Sequence, residues 1–242
     1  MDRPSWRSRT DNIVVVDPGA ERLLWVPRDL WCRRLRDRVN SAFAAGGHRA
    51  LIGCLNDVGL SVHHSLCVSR AAVERVLADV EIEVPVTEEL AFWYPLEPTR
   101  PIEEGRKIVR FSPPREVLAG ERIHQWIGAR FAVDEIGDDI ERMARQQVFV
   151  RRLMETGFDF GRVITDPADV SVSSDAAFDD LRRVKTTWRL ETLLDFVPRR
   201  IDGKAVLVKG SRRLRIVHAV KQRTPPALAR GFERLRAARK RT

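Results

Sequence analysis

The sequence is poor in cysteine and lacks long apolar runs. Its 242 residues contain three cysteines, Cys32, Cys54 and Cys67, and no stretch of about 18 consecutive apolar residues that could span a membrane. A small, odd number of cysteines argues against a disulfide framework and favours a reducing compartment. The first residues carry charge but no apolar signal-peptide segment. We therefore expect a cytoplasmic protein without a transmembrane helix and without membrane contact.

Several catalytic and nucleotide-binding motifs are also missing. The chain has no G-x-G-x-x-G, no P-loop, no G-x-S-x-G and no H-E-x-x-H. The sequence thus gives no support for a nucleotide cradle, a serine hydrolase or a zinc protease. We expect a binding protein rather than an enzyme, with no cofactor.

Charge is distributed unevenly along the chain. Residues 199–242 hold fifteen Lys and Arg but only two acids, a net charge of +13, whereas the whole chain carries +9. Residues 1–198 must therefore sum to −4. Such a basic end attached to a mildly acidic body predicts contact with a polyanion.

The pattern of apolar residues predicts an α+β fold, rich in helix, in two regions. Residues 1–94 would form an N-terminal hairpin followed by helices, and residues 95–114 a proline-rich linker. Residues 115–242 would form helices, then a basic three-strand meander and a terminal helix.

Particular elements follow from local spacing in the N-terminal region. Apolar runs at 13–16 and 23–26, separated by Asp17-Pro18-Gly19, predict the hairpin. Trp31, Leu35, Val39 and Phe43 are spaced by four and predict a helix that ends at Gly46-Gly47. Further predicted elements are helices at 48–57 and after a Ser69 cap, and a strand at 81–86.

The C-terminal region is predicted to be mostly helical before the period changes to two. Helices are expected at 115–131, 133–156 and 173–188, with a short strand at 163–165. The meander strands are expected at 193–197, 204–208 and 214–220, and Pro225-Pro226 would open the terminal helix.

The basic end supplies most of the predicted nucleic-acid contacts. Its guanidinium and ammonium groups would neutralise phosphates and release counterions. The residues expected to do so are Arg212, Arg213, Arg215, Lys221, Arg223, Arg230, Arg234, Arg239, Lys240 and Arg241. The alternative is a solvated charged surface, or one that docks an acidic protein.

A second segment suggests base recognition. Residues 143–148, Met-Ala-Arg-Gln-Gln-Val, resemble the start of a recognition helix in winged-helix regulators. The resemblance implies that Arg145, Gln146, Arg151 and Arg152 face a DNA groove and favours a homodimer. The same stretch also fits one uninterrupted amphipathic helix, because its apolar residues keep helical spacing.

Residues 193–209 resemble the core of PD-(D/E)XK nucleases. A strand with Asp195, a turn, and a strand ending in Lys209 have the order of that core. The resemblance implies that Asp195 would help hold Mg²⁺ and that Lys209 would stabilise the attacking water. Leu207 occupies the place of the second acid, however, so a metal ligand is lacking.

A group of sulfur and imidazole side chains raises the question of zinc. Cys54, His63, His64 and Cys67 lie within fourteen positions. Thiolate and imidazole are preferred zinc ligands, but no C-x-x-C pair is present. Buried cysteines and surface histidines explain the group without a metal.

These features together predict a cytoplasmic DNA-binding protein. It would be a transcriptional regulator or an accessory factor of replication, plasmid or mobile-element maintenance. A Mg²⁺-dependent nuclease and an adaptor for an acidic protein partner are the alternatives.

Overall fold

The computed structural model describes most of the chain, in six segments. These are residues 10–97, 102–133, 139–164, 170–193, 196–209 and 216–218. The chain divides into two compact units. The first comprises Met1–Leu66, Val172–Asp180 and Trp188–Thr242, and the second comprises Cys67–Ser171 and Leu181–Thr187. The domain boundary expected at residues 95–114 stays a prediction.

Helices and short strands alternate along these segments. The strands are β1 (Val14–Asp17), β2 (Arg22–Trp25), β3 (Trp31–Cys32), β4 (Asp37–Arg38), β5 (Leu66–Val68), β6 (Glu81–Pro85), β7 (Leu90–Pro95), β8 (Arg106–Phe111), β9 (Arg115–Ala119), β10 (Phe131–Ala132), β11 (Val170–Val172), β12 (Arg189–Leu193), β13 (Phe196–Ile201), β14 (Lys204–Lys209) and β15 (Ile216–His218). The α-helices are α1 (Ala42–Asp57), α2 (Arg70–Val76), α3 (Glu121–Gly128), α4 (Asp139–Glu155) and α5 (Ala176–Arg182). Three 3-10 helices cover Val39–Ser41, Ile102–Glu104 and Phe160–Ile164. This mixture confirms the predicted α+β class.

The first unit is built on the hairpin predicted near its N-terminus. β1 and β2 are antiparallel, with Val14 opposite Trp25 and Asp17 opposite Arg22. β2 also pairs in parallel with β12, and β12 pairs antiparallel with β15. The resulting sheet has the order β1-β2-β12-β15. β2 is thus an interior strand, and its residues from Leu23 to Trp25 are buried.

The helix predicted from Trp31 to Phe43 is wrong. β3 and β4 instead form a short ladder with Trp31 opposite Arg38, and the turn between them places Arg36 at φ 51°. A disulfide joins the buried Cys32 to Cys54 in α1, so the cysteine count was a wrong guide to the absence of disulfides. These long-range contacts override the local spacing of apolar residues.

The second unit encloses an apolar core between short sheets and two helices. β7 pairs antiparallel with β8 and with β10, and β6 pairs antiparallel with β9. Their inward side chains meet those of α3 and α4 in one cluster, in which the Phe111 ring packs edge-on against Trp126 at 5.0 Å between centroids. α2 begins at Ser69, whose hydroxyl accepts from the Ala72 N–H at 3.0 Å, as predicted.

Helix α4 is anchored by polar side chains that point into the second unit. Arg145 donates to the carbonyls of Trp126 and Ala129, and Gln146 donates to that of Ile127 at 2.8 Å. These carbonyls lie at the C-terminal end of α3, where helix geometry leaves C=O groups without partners. Arg145 is buried and its guanidinium lies 4.2 Å from the centroid of the Phe92 ring. Burial lowers the pKa of Arg145 to about 10.

Two predicted helices differ from the observed elements, and a third agrees with them where the chain is described. Residues 115–131 split into β9 and α3, because Gly120 adopts φ 49° between them. The stretch 173–188 contains only the shorter α5. Residues 139–155 form the continuous helix α4 rather than a helix-turn-helix. The single amphipathic helix is therefore the correct interpretation of residues 139–155.

Two strand predictions also fail. A 3-10 helix, Phe160–Ile164, occupies most of the place of the short strand expected at 163–165. The three-strand meander is absent because β15 pairs with β12 rather than with β14, while β13 and β14 form a separate hairpin. Pairing beside β12 gives that strand two neighbours, which suits its buried Leu190 and Leu193. The predicted terminal helix lies outside the described residues.

Loss of the disulfide should lower the stability of the protein. Because Cys32 and Cys54 are 22 positions apart, replacing both by Ser should lower the free energy of unfolding by about 2–4 kcal/mol. Urea denaturation of the oxidised protein would measure this change. Cys67→Ser is the control, because Cys67 is a free cysteine. A loss in the control as large as in the double variant would contradict a stabilising disulfide.

Removal of the Arg145 guanidinium should destabilise the second unit. Arg145→Met keeps the aliphatic stem but leaves two buried carbonyls without donors, which should cost about 3 kcal/mol. Arg152→Met, which breaks only a surface pair with Glu155 at 2.8 Å, should cost less than about 0.5 kcal/mol. Chemical denaturation of both variants tests the difference, and equal losses would refute the anchoring role.

Candidate functional site

An acid–base pair lies at the open end of the β1–β2 hairpin. β1 and β2 pair with Val14 opposite Trp25. Extending this register by three residues beyond the ladder places Asp11 opposite Arg28. Asp11 Oδ1 lies 2.8 Å from Arg28 Nη1. The Arg28 side chain is 14% exposed and that of Asp11 is 69% exposed. An accessible carboxylate is thus held by a largely buried guanidinium.

Backbone hydrogen bonds fix both partners of this pair. The Thr10 N–H donates to the Asn40 carbonyl at 2.9 Å, and the Asn40 N–H donates to the Arg28 carbonyl at 3.0 Å. Asn40 itself is buried. Leu30 N–H closes a turn onto the Pro27 carbonyl at 3.2 Å. These bonds hold the loop that carries Arg28 in one conformation without a ligand. Catalytic and anion-binding groups require such preorganisation.

A second pair of charged side chains adjoins the first. Arg38 Nη1 lies 3.4 Å from Asp29 Oδ1, and Arg38 Nη2 donates to the Ala205 carbonyl at 2.8 Å. The 3.4 Å approach lacks hydrogen-bond geometry, so the buried Asp29 Oδ1 and Arg38 Nε have no hydrogen-bond partner within the described part of the chain. We name Asp11, Arg28, Asp29 and Arg38 the Asp–Arg cluster.

The chemistry of the Asp–Arg cluster suits a phosphate group. A guanidinium presents paired N–H donors that match two phosphate oxygens, and partial burial strengthens such contacts. A carboxylate at the surface can accept a proton from an attacking hydroxyl. A buried polar group without a partner costs roughly 1–3 kcal/mol, a cost that a bound ligand can relieve.

The four α4 residues predicted to contact nucleic acid occupy different environments. Arg145 and Gln146 are buried and hold the end of α3. Arg151 donates to the Thr186 carbonyl at 2.7 Å, and Arg152 pairs with Glu155 in its own helix. The structure does not gather these four side chains into one outward surface.

The sulfur and imidazole side chains do not form a common centre. Cys54 is bonded to Cys32 and has no thiolate to offer a metal. The rings of His63 and His64 are 6.4 Å apart between centroids, and burial raises the pKa of the Cys67 thiol to about 12. Across the described segments, no group of three or more His, Cys, Asp or Glu is arranged to hold a metal ion.

The remaining predicted residues are those of the nuclease resemblance and the basic end. Lys209 ends β14, but its side chain is not described. The other predicted residues lie outside the described residues: Asp195, Arg212, Arg213, Arg215, Lys221, Arg223, Arg230, Arg234, Arg239, Lys240 and Arg241.

None of the four residues of the Asp–Arg cluster was predicted from the sequence as a site residue. Asp11 and Arg28 are 17 positions apart and belong to no recognisable motif. One signal was available, because the predicted hairpin, extended in register beyond its strands, places Asp11 opposite Arg28. Asp29 and Arg38 come together only through the β3–β4 ladder, which local spacing did not predict.

The fold is similar to those of solved bacterial structures. TagU of Bacillus subtilis is 16% identical, with a TM-score of 0.52 over 95% of this chain and 91% of TagU. TagT bound to LI-WTA is 15% identical, with a TM-score of 0.57 over 84% of this chain and 79% of TagT. An Enterococcus faecalis protein described as a transcriptional regulator is 19% identical, with a TM-score of 0.55 over 81% of this chain and 74% of that protein. At such identities the likeness shows the fold alone.

Comparison with curated protein sequences gives no match. A search for membrane spans finds, among the described residues, no helix with the length and apolar character to cross a bilayer. Residues 2–199 match the family model named LytR-CpsA-Psr.

The family match corrects the functional predictions. LytR-CpsA-Psr proteins are cell-envelope enzymes that act on cell-wall polymers, so the DNA-binding regulator and its nuclease and adaptor alternatives are wrong. The predicted winged helix, nucleic-acid partner, role in plasmid or mobile-element maintenance and cytoplasmic localisation are wrong for the same reason. The expectation of a binding protein rather than an enzyme conflicts with the enzymatic character of the family. With 2–199 of its 242 residues matched, the chain belongs to the LytR-CpsA-Psr family.

Proposed function

We propose that this protein is a phosphotransferase that attaches a glycopolymer to the cell wall, and that the Asp–Arg cluster is its reacting site. Members of the family transfer cell-wall polymers, and the similar TagT was solved with LI-WTA bound. The observation that carries the proposal is the pair of Asp11 and Arg28, in which a fixed guanidinium and an accessible carboxylate lie 2.8 Å apart.

The two side chains supply complementary parts of a phosphate-ester transfer. An acceptor hydroxyl attacks phosphorus, a new P–O bond forms, and the P–O bond to the leaving phosphate breaks. Arg28 donates hydrogen bonds to the phosphate oxygens, which carry the charge of the transition state. Asp11 accepts the proton of the attacking hydroxyl.

The existing contact between Asp11 and Arg28 couples binding to chemistry. Arg28 Nη1 now donates to Asp11 Oδ1. A phosphate that binds the guanidinium with two oxygens competes with Asp11 for this donor. Phosphate binding therefore separates the Asp11 carboxylate from Arg28 at the moment when a proton acceptor is needed. Asp29 and Arg38 hold the adjoining part of the loop in place.

Substitution at Asp11 should abolish transfer without unfolding the protein. Asp11→Asn removes the proton acceptor and keeps the shape of the side chain, so we expect kcat to fall by about 100-fold or more. Arg28→Gln should give a loss of similar size, because it removes the charged donor. The assay would incubate the purified protein with LI-WTA and isolated cell wall, and measure the phosphorus covalently retained on washed wall.

The matched control is Asp17→Asn, at the other end of the same hairpin. Asp17 pairs with Arg22 at 2.9 Å and accepts the Ala20 N–H at 3.1 Å, so its substitution weakens the hairpin but leaves the Asp–Arg cluster intact. We expect this variant to keep activity within about threefold of the unaltered protein, since a surface pair contributes about 1 kcal/mol or less. Equal losses in Asp11→Asn and Asp17→Asn would assign the effect to hairpin stability. An unaltered protein that transfers nothing would refute the function.

A further inference from the structure

The basic end of the chain begins as a folded element beside the Asp–Arg cluster. β13 and β14 form an antiparallel hairpin with six paired positions, from Phe196 opposite Lys209 to Ile201 opposite Lys204. The family match ends at residue 199, inside this hairpin. The described part of the basic end is thus an ordered element rather than a loose tail.

The β13–β14 hairpin docks on the β3–β4 hairpin and on the loop before it. The Leu207 N–H donates to the Asp29 carbonyl at 2.9 Å, and Arg38 donates to the Ala205 carbonyl. Lys204 Nζ lies 2.9 Å from Asp37 Oδ1. Although burial acts to raise it, the pKa of Asp37 is held below its usual value by hydrogen bonds from the Lys204 side chain and the Arg38 N–H.

The two hairpins together present a cationic surface, which we name the basic face. Its members are the solvent-accessible basic side chains of the β3–β4 turn and of one face of the β13–β14 hairpin: Arg33, Arg34, Arg36, Arg199 and Lys204. Only two acids belong to the same hairpins, Asp37 and Asp202. Four of the five cations are arginines, which bind phosphate oxygens in pairs.

The basic face adjoins the reacting site through shared residues. Asp29 and Arg38 belong to the Asp–Arg cluster, and both also bond β14 directly. Arg36 comes two positions before Arg38 and pairs with Asp202 of the β13–β14 turn at 3.4 Å. A polymer whose end reacts at Arg28 can therefore continue along the basic face.

We propose that the basic face binds the phosphate-bearing chain of an anionic glycopolymer while the end of that polymer reacts at the Asp–Arg cluster. This inference rests on the proposed function and adds a specificity determinant to it. A polyanion gains affinity by releasing its counterions to fixed cations, whereas a neutral polysaccharide gains nothing from them. The basic face thus selects polymers with phosphate in their repeating units.

The test compares two triple variants that change net charge equally. Arg34, Arg36 and Arg199→Gln remove charge from the basic face, whereas Arg110, Arg115 and Arg183→Gln remove it from the second unit. In each set two of the arginines form surface ion pairs, Arg34 and Arg36 in one and Arg110 and Arg115 in the other. Both variants carry the same net charge, so a difference between them reports the location of the charges.

Binding of full-length protein to fluorescent poly(glycerol phosphate) would be measured by anisotropy. We expect the basic-face variant to bind about tenfold more weakly at roughly 0.1 M salt, and the second-unit variant to change less than about twofold. Dextran of the same length should not bind. Equal weakening in both variants, or equal binding of dextran, would overturn the proposal.

Transfer assays separate this proposal from the proposed function. With the basic-face variant, KM for the polymer should rise about tenfold while kcat is unchanged, because the reacting groups are intact. If the unaltered protein transfers polymer and the basic-face variant does so with the same KM, the basic face has no such role and the function stands. If nothing is transferred but the binding difference holds, the function fails, and of this proposal only the binding of polymer to the basic face stands.

Discussion

The register of the β1–β2 hairpin is the constraint on which the first unit depends. An Asp–Arg pair lies at each end of that register, Asp11 with Arg28 and Asp17 with Arg22. A slip by one residue would break both pairs and turn every side chain of the strand to the opposite face. Arg22 also reaches the buried Glu191 of β12 at 3.2 Å. The same register therefore joins the interior of the sheet to the Asp–Arg cluster.

Arg145 of the second unit and Arg28 of the first differ in their partners, and this difference distinguishes a structural arginine from one that can bind a ligand. The Arg145 guanidinium donates to carbonyls at the end of α3 and lies over the Phe92 ring, so few of its N–H groups remain for a ligand. Arg28 holds an exposed carboxylate that a phosphate can displace. The fixed partners of Arg145 are internal to the fold, whereas the partner of Arg28 faces solvent. The burial of an arginine and the identity of its hydrogen-bond partner, rather than its position in a motif, decide whether it can act on a substrate.

The sequence was informative where local chemistry decides the structure and misleading where distant contacts decide it. The hairpin at residues 13–26, the Ser69 cap and the strand from Glu81 follow from turn residues, capping and alternation. The spacing of Trp31 and Leu35 predicted a helix, but ladder pairing and the disulfide impose strands there. The resemblance of residues 143–148 to a recognition helix placed Arg145 at a DNA groove, but its donations to carbonyls at the end of α3 hold it inside the fold. The cluster could be anticipated only in part, through Asp11 and Arg28, since the link from Asp29 to Arg38 depends on tertiary contacts.

The docking of β14 connects the charge of the basic end to the chemistry of the cluster. Asp29 accepts the Leu207 N–H through its backbone and pairs with Arg38 through its side chain, and it directly follows Arg28 in the chain. A displacement of the β13–β14 hairpin would therefore displace Asp29, the residue that follows Arg28. Asp29 alone separates the β14 backbone from Arg28 along this path, so the β13–β14 hairpin supports the loop of the proposed reacting site. In the proposed function the hairpin thus has two parts: its backbone holds that loop, and its exposed cations bind the polymer without taking part in the transfer step.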